Sequence, residues 1–158
     1  MKPGNKFKII SGGQTGVDRG ALDAALEAGI DCGGTCPAGR KAEDGIIPAA
    51  YPLTELDSKV YSDRTRQNVI DSDATLIVHF GQLEGGTAFT RRCCQEENKP
   101  CLIVDTSQDK QALLVESILD FIKQNKVRVL NVAGPRASKI PEAQETTKQL
   151  LTIVLNQL

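Results

Sequence analysis

The stretch "IISGGQTGVDRGALDAALEAG", residues 9–29, passes from a short apolar run through two glycines and a polar turn into apolar residues at helical spacing. The run "FKIIS" that leads into it reads as a strand, and the spacing beyond the turn predicts a helix over about 15–28 that Gly29 ends in a left-handed cap. Thr15 and Asp18 stand three residues apart, the separation of a capping box, and mark the first turn of that helix. One β-α unit is therefore legible at the start of the chain, and it sets the question for the remainder.

Working outward, the same alternation continues. A polar, partly exposed helix is predicted over about 61–71 and a buried strand at "ATLIVHF", residues 74–80. After the glycine cluster "GQLEGGT" a helix follows over about 87–98, then the strand "CLIVD", a helix in "KQALLVESILDFIKQN", the strand "VRVLNVA" and a terminal helix in "PEAQETTKQLLTIVLNQL". Alternating strands and helices give a mostly parallel sheet with helices on both faces, because each parallel connection has to cross back over the sheet. Only "PAGRKAEDGIIPAAYP", residues 37–52, breaks the pattern: it follows neither a period of 2 nor one of 3.6 and reads as a long ordered loop. Loops of that length in a compact domain are often functional, which draws attention to Arg40, Lys41, Glu43 and Asp44.

The chain has 158 residues, 40% of them hydrophobic, enough for one domain over 1–158 with its own core. A formal net charge of -1 does not suit a nonspecific nucleic-acid binder, so any anion site has to be local. No run approaches the ~20 apolar residues that span a bilayer, and the N-terminal residues lack a signal-peptide core; the expectation is a cytoplasmic protein that does not enter membranes. Five cysteines, odd in number, fit reduced thiols, with Cys32 and Cys36 falling in a loop. A single histidine, His79, sits inside an apolar strand, so neither a zinc site nor a nucleophilic triad is expected.

Ligands of open α/β sheets sit beyond the carboxyl ends of the strands. Three glycine-bearing segments fall there: "SGGQTG", "GQLEGGT" and "AGPRAS". Glycine lets the backbone approach a ligand, and the helix that follows adds partial positive charge, so Gly12 and Gly13 are expected to make room for an anion such as phosphate. Arg19, Arg40 and Arg136 are near enough in sequence to these segments to converge on it with paired guanidinium donors. Asp18, Glu43, Asp44 and Glu84 are the acidic residues in the same regions. The loop reads G-G-x-x-G, which fits neither the dinucleotide fingerprint nor the P-loop.

The segments "SGGQTGVDRGALDAALEAGI", "CPAGRKAEDGIIPAAYPLTE", "RTRQNVIDSDATLIV", "EGGTAFT" and "NVAGPRASKIP" together resemble those of the molybdenum cofactor carrier proteins. That family is a branch of the superfamily that also holds the cytokinin-activating phosphoribohydrolases often misnamed lysine decarboxylases. The resemblance implies a Rossmann-like three-layer sandwich, a homo-oligomer (dimer or tetramer), and a pocket for a phosphate-bearing, nucleotide-like or pterin ligand. It implies that Gly12, Gly13, Gln14, Thr15 and Arg19 line the pocket from the first loop, that Gly85, Gly86 and Thr87 cradle the phosphate, and that Arg40, Lys41, Glu43 and Asp44 contribute from the central loop.

The phosphoribohydrolases place a catalytic glutamate a few residues beyond the glycine-threonine loop, whereas "GGTAFTRRCC" offers none before Glu96. Binding of molybdenum cofactor without catalysis is thus the leading expectation, its molybdenum held by the pterin's own dithiolene. A phosphoribohydrolase acting on a nucleoside monophosphate, with Glu43 or Glu84 as its carboxylate, is the alternative. A third reading is an oligomerising domain whose terminal helix shows Ile153 and Leu155 on a second apolar face.

Overall fold

A computed structural model describes residues 6–81 and 85–158 of the chain. The elements in chain order are β1 (Lys8–Ile10), α1 (Val17–Ala28), β2 (Asp31–Gly33), β3 (Thr35–Cys36), β4 (Lys41–Ala42), β5 (Gly45–Ile46), β6 (Thr54–Glu55), α2 (Tyr61–Asp71), β7 (Ala74–His79), α3 (Gly85–Glu96), β8 (Cys101–Asp105), α4 (Gln111–Gln124), β9 (Val129–Ala133) and α5 (Ala143–Asn156). Five strands form the main sheet in the order β2-β1-β9-β7-β8, with every pair parallel.

The period of two in each strand divides the sheet's side chains between two layers. Ala74, Leu76 and Val78 of β7, with Leu130 and Val132 of β9, pack against α1, α4 and α5 through residues such as Val17, Ile118 and Leu151. Each fully buried Leu or Ile there stabilises the fold by roughly 2 kcal/mol. On the opposite face Val69 of α2 meets Cys93 and Cys94 of α3, with Phe89 and Cys101 beside them. The chain is thus an α/β, Rossmann-like three-layer sandwich. All five cysteines are free thiols.

Where structure and sequence expectation differ, the reasons are local. The first helix starts at Val17 because Gly16, at φ 85 and ψ -128, is not helical, and no side chain caps it; Thr15 and Asp18 are bonded elsewhere. Gly29 does close the helix in the left-handed region, its N–H donating to the carbonyls of Ala25 and Leu26. Cys32 and Cys36, expected in a loop, lie in β2 and β3, strands of three and two residues too short to show a period. The central segment carries a 3-10 turn at Ala38–Arg40, the β4-β5 hairpin, and β6 paired in parallel with β3. Ile47 anchors it in a small core with Cys36 and Ala42, against which Tyr51 and Leu53 pack. Leu155 of α5, expected on an exposed apolar face, is only 5% exposed and belongs to the main core, which leaves Ile153 on that side. Among the described residues no helix is long and apolar enough to cross a membrane.

Candidate functional site

Beyond the carboxyl ends of β1 and β9, between α2 and α3, lies a cavity of about 340 Å³. Its floor is β7 and β9, through Ile77, Asn131 and Val132; Gly12 and Gln14 close one side and the segment after β9 closes another. Asn131 is 3% exposed, and its amide donates to Thr75 Oγ1 across the strands at 3.2 Å. Gly86 and Thr87, in the first turn of α3, bring a helix N-terminus to the wall, with its partial positive charge. Tyr61 from α2 and Phe89 from α3 supply two aromatic rings.

Arg64 dominates the electrostatics. Its guanidinium lies against Gly12, where a Cβ would overlap it, and Nη1 donates to Asp18 Oδ2 at 2.8 Å. Asp18 Oδ2 also accepts from the Gln14 backbone N–H at 3.2 Å, while Ser11 Oγ donates to the Asp18 carbonyl. The two side chains are 14% and 5% exposed, and Arg64 Nε is buried with no hydrogen-bond partner among the described residues. Burial pushes the Asp18 carboxyl above the ordinary aspartate range, against the opposing pull of Arg64 and the backbone N–H groups around it. Asp18 is the one carboxylate among the described residues that line the cavity, against three cations, Arg64, Arg136 and Lys139.

A second network ties the central hairpin to the first loop, α1 and the segment after β9. Glu43 accepts from Thr15 Oγ1, from Ser138 N–H at 3.1 Å and from Ser138 Oγ at 2.6 Å, and Arg136 Nε stands 3.7 Å away. Gln14 Oε1 in turn accepts from the Glu43 backbone N–H at 3.0 Å. Burial raises the Glu43 carboxyl, but the hydrogen bonds from Ser138 and Thr15 and the charge of Arg136 outweigh it and leave it below the usual range. Arg19 makes a two-pronged pair with Asp44 at 2.6 and 2.8 Å, which holds the Asp44 carboxyl low, and its Nε donates to the Gly13 carbonyl. Tyr51 donates to Asp23 at 2.7 Å; burial first and Asp23 second push the phenol up to about 12.

Of the residues singled out from sequence, Gly12, Gln14, Asp18, Gly86, Thr87 and Arg136 line the cavity together. The remaining described ones stand outside its lining. Gly13 packs under Leu53 and Ile47, Gly85 begins α3, and Thr15, Arg19, Glu43 and Asp44 are engaged in the hairpin network. Arg40 turns inward on its own loop and donates to the carbonyls of Ile47, Pro48 and Tyr51 at 2.8–3.1 Å. Lys41 sits 4.8 Å from the centre of the Tyr61 ring. Glu84 lies outside the described residues. The space in front of Gly12, expected to admit an anion, is filled by Arg64.

Arg64, Asn68 and Asn131 line the cavity without having been singled out. Arg64 and Asn68 stand four apart in "RTRQN", on one face of a helix whose polarity suggested exposure. That spacing was the available signal. Asn68 is 2% exposed and pairs both polar groups of its amide with the Thr35 backbone, at 2.8 and 2.9 Å. Asn131 announces itself as a polar residue inside the apolar strand "VLNVA".

Residues 9–155 match the model of the circularly permutated YpsA SLOG family. The crystal structure named "Putative molybdenum carrier protein" from Syntrophus aciditrophicus SB superposes with a TM-score of 0.93 at 44% identity, over 96% of each chain. No curated protein matches the sequence.

Proposed function

This chain belongs to the circularly permutated YpsA SLOG family, and from that premise we propose that it is a non-catalytic carrier or sensor of molybdenum cofactor or a related phosphate-bearing, nucleotide-like ligand. The observation that carries the proposal is the cavity: three cationic side chains and a helix N-terminus converge with two aromatic rings in about 340 Å³. Cations and helix N–H groups suit a phosphate, and rings at the same site suit a flat heterocycle attached to it. The volume falls in the range of small-ligand pockets. The name of the Syntrophus structure, a molybdenum carrier, is in keeping with a molybdenum-bearing cargo.

Among the described residues no three His, Cys, Asp or Glu side chains cluster to hold a metal ion, so a molybdenum-bearing cargo would bring its own ligands, as a dithiolene does. Of the two carboxylates that a hydrolase reading names, Glu84 lies outside the described residues and Glu43 is held by Thr15, Ser138 and Arg136 outside the cavity lining. The engagement of Glu43 favours binding over bond cleavage. We place the protein in the cytoplasm as a dimer or tetramer, a state that light scattering on the purified protein reads directly.

The test is the pterin content of protein purified from a host that makes molybdenum cofactor, measured as the oxidised fluorescent derivative per subunit. Near-stoichiometric pterin, lost on Arg64→Gln, is the expected result. Pterin at background, together with release of free base from a nucleoside monophosphate, would replace the carrier reading by the hydrolase one.

A further inference from the structure

The strongest group in the cavity is already occupied. Arg64 faces the space where an anion would sit, yet one of its N–H groups is donated to Asp18, a carboxylate 5% exposed and in the same lining. Two anions sharing one guanidinium in a poorly hydrated site repel each other strongly. We propose that Asp18 is an exchangeable counter-anion of Arg64: an oxyanion entering the cavity takes over the guanidinium, and Asp18 takes up one proton from water as it does so.

This rests on the reading of the cavity as an anion pocket and adds a specificity to it. The groups facing Asp18 define what it can do. Arg64 comes from α2, Arg19 from its own helix, and Arg136 and Lys139 line the same cavity from the segment after β9. Glu43 is held away in the hairpin network through its bonds to Thr15 and Ser138. Asp18 itself keeps the Gln14 backbone N–H, so its carboxyl stays in place whichever charge state it holds. Once protonated, it donates an O–H to the bound anion, and the pocket changes from cancelling Arg64 to reinforcing it. Burial, which already favours the neutral carboxyl, lowers the cost of that exchange. An oxyanion that accepts hydrogen bonds on several oxygens satisfies both groups; a neutral ligand displaces nothing and gains little.

The consequence is measurable with sulfate, whose own charge does not change near neutral pH. At constant ionic strength, sulfate affinity should rise as pH falls, by up to about tenfold per pH unit for one linked proton. Calorimetry in buffers of different ionisation enthalpy should show proton uptake on binding. Asp18→Asn, which keeps an acceptor for Gln14 and Arg64 without the charge, should bind sulfate more tightly than wild type at pH 8 and show no pH slope. His79→Gln, at a histidine outside the cavity lining, should leave the slope unchanged.

A readout that needs no variant is the side-chain carbonyl 13C shift of Asp18 in the wild-type protein, whose titration midpoint should move upward in sulfate. No proton uptake, an unchanged midpoint, an equal slope in Asp18→Asn or no sulfate binding by wild type would each overturn the proposal. Pterin in the purified protein without proton linkage would sink this inference alone. Linkage with pterin at background and free base released from a nucleoside monophosphate would sink the carrier reading and leave this one standing.

Discussion

A methyl group at position 12 would occupy the volume filled by the Arg64 guanidinium. Because its neighbour is the end of a flexible side chain, Gly12→Ala should remain folded, shift Arg64 off Asp18 and weaken sulfate binding by tenfold or more. Gly34→Ala is the contrasting case. Gly34 sits at φ 123 with the Ser11 backbone in the way of a Cβ, so neither strain nor collision can relax, and a loss of roughly 3 kcal/mol or more is expected. Urea denaturation of the two variants, read beside sulfate titration, separates a glycine that shapes the site from one that holds the fold. At this scale the sequence named Gly12, Gln14, Asp18, Gly86, Thr87 and Arg136 of the cavity lining and passed over Arg64 and Asn68. Arg19 and Arg40 look like phosphate ligands by residue type, yet their guanidinium groups are engaged by Asp44 and by loop carbonyls. What decides between the two uses of an arginine is which acceptor lies within reach, and that is fixed by tertiary contacts no spacing rule encodes.

At the scale of elements, the hairpin β4-β5 is a clasp held by charge. Asp44 is bound to Arg19, and Glu43 to Ser138, Thr15 and Arg136, and both carboxyls sit lower in the folded protein than their ordinary values of 3.8 and 4.5. A carboxyl lowered on folding adds stability that is present above its unfolded value and lost as pH falls through the folded one. The clasp should therefore loosen below about pH 4, seen as faster proteolysis or amide exchange across residues 41–55 while the main sheet stays protected. Asp44→Asn should loosen it already at pH 7 by at most about 1 kcal/mol, Asp44 being 48% exposed, and the gap to wild type should close as the pH drops. The helices and long strands were legible because their apolar periods extend over five residues or more. The strand "CLIVD" and the helix at Tyr61–Asp71 lie where the pattern places them. β2, β3 and the hairpin were not legible, since two or three residues carry no period and their partners are distant in sequence.

For the whole molecule, alternation predicted the layers but not the order of the strands. β9, the last strand of the sheet in sequence, lies between β1 and β7, and those two do not pair with each other. Strand order depends on which edges meet across the core, which hydrophobic patterning leaves open. The arrangement makes the sheet indivisible: thermal or urea unfolding should follow a single transition by circular dichroism and by tyrosine fluorescence, and a fragment of residues 1–126, lacking β9, should show no cooperative transition at all. Two transitions in the intact chain, or a cooperative fragment, would contradict this.

The place of β9 also imposes an order in time. As a ribosome extends the chain, β1 with β2 and β7 with β8 emerge as two half-sheets, each with an apolar edge and neither able to complete the other until residues 129–133 follow. Long-range closure of this kind is slow and leaves sticky edges unpaired in the interval, which is where chaperones act. β9 carries Asn131 and leads into the segment bearing Arg136, so the binding cavity itself is among the last features of the molecule to exist. Any ligand of that cavity can therefore meet only an essentially finished sheet, never a half-built pocket.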